Sequence, residues 1–61
     1  MDARTLIEKM GGQGQVRKLT GLSKGRISQW VVSDSIPRSW AMFLSEKFPQ
    51  LDFQKFLEKA A

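Results

Sequence analysis

Apolar side chains recur three and four residues apart along most of the chain, the spacing that puts them on one face of an α-helix. Leu6, Ile7 and Met10 share such a face; Asp2, or Thr5 with Glu8, can cap its start and Gly11-Gly12 suits its end, which predicts a helix over residues 3–10. Gln13 to Thr20 carries Val16 and Leu19 and stops at Gly21, so a second short helix follows. Ser23 is a good N-cap for a third, with Ile27, Trp30 and Val31 as its inward face, and Val32 to Ile36 reads as a polar loop. Pro37 fits the first position of a fourth helix running through Trp40, Phe43, Leu44 and Lys47, which Pro49 stops. A last helix starts after Asp52 as N-cap, with Leu51 and Phe56 as a hydrophobic staple and Phe53, Phe56 and Leu57 as an apolar stripe. No segment alternates at period two over strand length, and no repeat, low-complexity tract or linker divides the chain. The expectation is one all-α domain of about five short helices over residues 1–61.

Length narrows this further. A chain of 61 residues has room for one domain, and a domain this small buries only about 60% of its unfolded surface. It therefore needs an efficient core, a second copy, or both. Without Cys or His, disulfide frameworks, zinc sites and His-paired nucleophiles lose their indispensable parts. The six carboxylates are scattered and mostly have basic neighbours or capping roles, so no enzyme, metal, cofactor or small-molecule substrate is expected. The N-terminus has no apolar leader and no apolar run approaches the roughly 20 residues of a membrane span, so a soluble cytoplasmic protein without membrane contact is expected.

Charge changes the picture most. Ten Lys and Arg against six Asp and Glu give +4. Arg17, Lys18, Lys24, Arg26 and Arg38 face one acid, Asp34, between residues 17 and 38, which accounts for the whole excess; the rest of the chain is neutral. A basic surface concentrated on two short helices joined by a tight turn is the footprint of a nucleic-acid binder. Turning Ile27, Trp30 and Val31 inward places Gly25, Gln29 and Val32 outward on the third helix, flanked by Arg26 and Ser28, with Lys24 in the first turn. That face is short or hydrogen-bonding. Trp30 and Trp40, at helical spacing with Ile27 and Leu44, read as core rather than as base-stacking platforms.

The run from Gln13 to Trp30, with Val16, Gly21, Leu22, Ile27 and Trp30 as anchors, resembles the helix-turn-helix of phage Cro-type repressors. Its continuation, Ser28-Gln29-Trp30 followed by Ile36-Pro37 and an apolar helix, resembles the YdaS-like relatives of Cro and the phage CII-type regulators. The likeness spans roughly residues 5–48. Arg17 stands where the family usually has a small residue, and Leu19 stands one place earlier than the usual apolar position. Either the second helix is turned so that Arg17 points out and Leu19 in, or the correspondence before Gly21 shifts by one.

The resemblance implies a sequence-specific regulator of transcription, a repressor that binds a palindromic double-stranded operator as a homodimer with residues 23–32 in the major groove. Lys24, Gly25, Ser28 and Gln29 would meet bases, Gln29 being suited to an adenine edge. Gln13, Gln15, Arg17, Lys18, Ser23, Arg26 and Arg38 would meet the sugar-phosphate backbone. Residues 37–61 would supply core and dimerisation helices, with Phe53, Phe56 and Leu57 either packing on the first helix of the same subunit or forming the dimer face. The alternative is an antitoxin-like or phage accessory module that binds another protein through that C-terminal apolar helix.

Overall fold

The computed structural model describes residues 1–58, so the last three residues of the expected C-terminal segment lie outside the described residues. It contains α1 (Ala3–Lys9), α2 (Gln13–Thr20), α3 (Lys24–Ser33), α4 (Arg38–Lys47) and α5 (Gln54–Leu57). The described residues are all-α, 67% of them helical, with no strand among them. Helices α1, α2 and α3 pack on one another, and α5 folds back on α4.

Local chemistry sets most boundaries. The Asp2 carboxylate accepts the Thr5 N–H at 2.8 Å and caps α1. Between α1 and α2 the chain reverses through Gly12 (φ 94°, ψ 171°), a conformation that only glycine enters without strain. Gly21 sits left-handed at φ 75° and donates to the Arg17 carbonyl at 2.7 Å, ending α2. Thr20 tightens that end: its hydroxyl donates to the Val16 carbonyl at 2.8 Å and accepts the Leu22 N–H at 3.2 Å. Ser23 then caps α3, its side-chain oxygen accepting the Arg26 N–H at 3.2 Å.

Three expectations need correction. Val32 and Ser33 belong to α3 rather than to a loop, because the helix closes two residues later. Asp34 takes the left-handed position (φ 50°), its N–H donates to the Val31 carbonyl at 3.2 Å, and the Ser35 N–H donates to the Trp30 carbonyl at 3.0 Å, the Schellman pattern. Ile36, at the end of the expected polar loop, is buried at 4% exposure. Pro37 precedes α4 as its extended cap (φ −52°, ψ 140°) instead of opening it, and Arg38 is the first helical residue. At the last helix the Asp52 carboxylate accepts the Gln54 N–H at 2.9 Å, but Phe53 holds the cap position and α5 is a single turn.

The core collects residues from every element: Leu6, Ile7, Val16, Ile27, Leu44 and Phe53 are its largest fully buried side chains, with Trp30 and Phe56 beside them. Each such aliphatic or aromatic group contributes roughly 1.5–3 kcal/mol on burial. Phe53 and Phe56 are therefore interior groups, 2% and 7% exposed. They are not a face for a second copy or a partner protein, and of the expected dimer stripe only Leu57 is partly exposed. No buried side-chain polar atom lacks a partner among the described residues.

Candidate nucleic-acid interface

The helix pair α2–turn–α3 exposes most of its polar and basic side chains. Val16 and Ile27 are wholly buried where the two helices meet, and Trp30 follows at 3%. Turning these inward forces their neighbours outward. Arg17, Lys18, Lys24, Gly25, Arg26 and Gln29 are all exposed, and Arg17 points out while Leu19 packs partly against the core.

No Asp or Glu occurs between Glu8 and Asp34. Among the described residues the ion pairs are Arg4–Glu8, at 3.6 Å, and Lys55–Asp34, so Arg17, Lys18, Lys24 and Arg26 carry unneutralised charge. Arg17 and Lys18 occupy the last turn of α2, where the helix dipole favours cations. With Gly14, Gly21 and Leu22 they line an open groove. Gly14, in the first turn of α2, joins this groove although the sequence does not single it out; its one signal is a glycine at a helical position. A Cβ built on Gly14 or Gly25 meets nothing within 4 Å, so neither glycine is required by close packing inside the fold. The α2 N-terminus has Gly12 as its cap and no side-chain capping bond, which leaves its first N–H groups, beside Gln13 and Gln15, open to a ligand.

The remaining expected contacts are partly engaged within the protein. Ser28 is half-buried, and its hydroxyl reaches the Gln13 side-chain oxygen at 3.4 Å, a long contact that links the two helices weakly. The Ser23 oxygen is the α3 cap described above, with its hydroxyl proton free to donate. Arg38 stands elsewhere. Its Nε donates to the Leu57 carbonyl at 3.2 Å, and it lines a cleft with Asp34, Ile36, Lys55 and Phe56, whereas Arg17 and Lys18 line the other groove.

That cleft is a structural junction. Asp34 accepts the Ala3 N–H at 2.9 Å on one carboxylate oxygen and the Lys55 ammonium on the other. The Lys55 hydrogen bond, then the Ala3 N–H, hold its carboxyl below the usual 3.8. Asp2 is also lowered, by hydrogen bonds from Thr5. No group of three or more His, Cys, Asp or Glu able to hold a metal occurs among the described residues, and no helix among them is long and apolar enough to cross a membrane.

No family model, no curated protein and no solved structure matches the chain.

Proposed function

We propose that the protein is a sequence-specific double-stranded DNA-binding regulator of transcription, acting in the manner of a Cro-type repressor. The observation that carries the reading is the surface of α2 and α3: four cations without an acid partner, beside an outward stripe of Gly25 and Gln29 that no packing demand explains. Phosphates neutralise such a surface and release condensed counterions. Gly25 and Gln29 then leave space and hydrogen-bonding capacity at the base edges, with α3 in the major groove and α2 across the backbone.

One short reading helix makes too small an interface for genomic discrimination, so a symmetric pair would read two half-sites about 34 Å apart. With Phe53 and Phe56 committed to the core, the pairing face falls to α4, where Met42 is 46% exposed and Trp40 and Phe43 are partly so. Trp40 and Phe43 meet edge-to-face at 5.7 Å, a favoured aromatic geometry.

The test is binding to palindromic and random duplexes over a salt series. Affinity should fall steeply with salt, by a slope of about 0.9 per phosphate contact, and one palindromic sequence should be enriched from a random pool. Undetectable or salt-insensitive association with every duplex would overturn the reading.

A further inference from the structure

Val32 is 80% exposed, the most exposed large apolar side chain among the described residues. The other two, Met1 and Met42, are about half covered at 45% and 46%. An exposed β-branched residue helps neither helix propensity nor solvation. Its turn is nonetheless well formed: the Ser33 hydroxyl donates to the Gln29 carbonyl at 2.7 Å, and the Schellman closure at Asp34 follows directly. The helical period places Gly25, Gln29 and Val32 on one face, with Lys24 and Arg26 exposed on the same helix. A purely apolar partner has no use for that charge. The DNA major groove offers both kinds of complement, phosphates along its walls and one apolar group on its floor, the 5-methyl of thymine.

We propose that Val32 reads a thymine 5-methyl group at the base pair next to the one met by Gln29; the proposal rests on the DNA-binding reading above. Val32 lies three residues beyond Gln29, about 4.5 Å along the helix axis, a little more than one base step of roughly 3.4 Å. A 5-methylcytosine carries the same methyl group, and the experiment separates the two sources.

The full chain is measured against its enriched duplex with deoxyuridine replacing each thymidine in turn, which deletes only the methyl. One thymine per half-site, adjacent to the pair sensitive to Gln29→Ala, should lose about fourfold in affinity, the scale of one buried methyl. Val32→Ser should abolish that discrimination while keeping the wild-type thermal midpoint. Indifference of every thymine to deoxyuridine, together with a gain on converting a cytosine elsewhere in the duplex to 5-methylcytosine, assigns the methyl to the modified base and overturns the assignment. The proposal is also overturned if every thymine tolerates deoxyuridine, if Val32→Ser keeps the sensitivity, or if Val32→Ser abolishes only self-association. Failure to enrich any sequence fails the DNA-binding reading itself, an outcome distinct from an enriched duplex indifferent to its methyls.

Discussion

The α2–α3 surface and the junction around Asp34 use charge in opposite ways. At the junction, nearly every polar group has a partner: Lys55 meets Asp34, Ala3 donates its N–H to the same carboxylate, Arg38 holds the Leu57 carbonyl, and the Lys55 ammonium lies 5.6 Å from the Phe56 ring centroid. On α2–α3 the cations have no acid near them in sequence and no ion pair in space. The difference teaches where the fold's own needs end. Groups that join distant segments are satisfied internally, whereas groups that serve nothing inside the molecule are the ones available to a ligand.

The comparison breaks first if the two regions are separate folding units. Phe53→Ala should cost about 3–5 kcal/mol and unfold both regions together, because Phe53 joins the same buried core as Ile27 and Val16. Loss of α4–α5 structure with α2–α3 intact, read by residue-level hydrogen exchange, would show that the two are independent.

Charge removal probes the open surface. Arg17→Ala with Lys18→Ala should leave stability within about 0.5 kcal/mol, as for exposed unpaired charges, yet weaken duplex binding about tenfold and lower the salt slope by about two. Titrations at several salt concentrations, alongside urea unfolding, check both halves. A stability loss comparable to the binding loss would erase the contrast between the regions.

Gly25→Ala sharpens it through effects of opposite sign. With open space at its Cβ, the added methyl should stabilise the protein by about 1 kcal/mol through helix propensity and at the same time reduce duplex affinity. Thermal unfolding and a binding isotherm on one preparation suffice.

The junction predicts the smallest effect, in acid. Asp34 is lowered in the folded state, so its contribution is present above the ordinary value of 3.8 and is lost as pH falls through the lower folded value. The thermal midpoint should stay level from pH 7 to about 5 and then fall below 3.8, less steeply for Asp34→Asn, which keeps the left-handed cap. Equal acid profiles for the two proteins would remove the junction's electrostatic role.

Much of the fold was legible in the sequence wherever a local signal fixed it. Gly21 and Ser23 mark the ends of α2 and α3 because their conformation and capping chemistry act within four residues. The errors arose where a distant partner decided. Val32 and Ser33 read as loop, since nothing nearby announces that Asp34 will close the helix two residues later and bind Ala3 and Lys55. Phe53 and Phe56 read as a stripe that either packs within the subunit or joins a second copy, since the choice depends on α5 folding back on α4. At the site, the location of charge was legible because charge needs no neighbours to be counted. The turning of Arg38 toward Leu57 and of Ser28 toward Gln13 was not, since both depend on contacts 19 and 15 residues apart in sequence.

Because Ala3 and Lys55 both bind one carboxylate, the two ends of the described chain leave it side by side. A short flexible linker could join them, and the break could move to the exposed Gly11 between α1 and α2 without cutting a helix. Such a rewired chain would keep its helices and its basic face while entering and leaving the fold from a different corner. The same proximity keeps the Asp34 junction, where Ala3 and Lys55 meet, apart from the groove that Arg17 and Lys18 line.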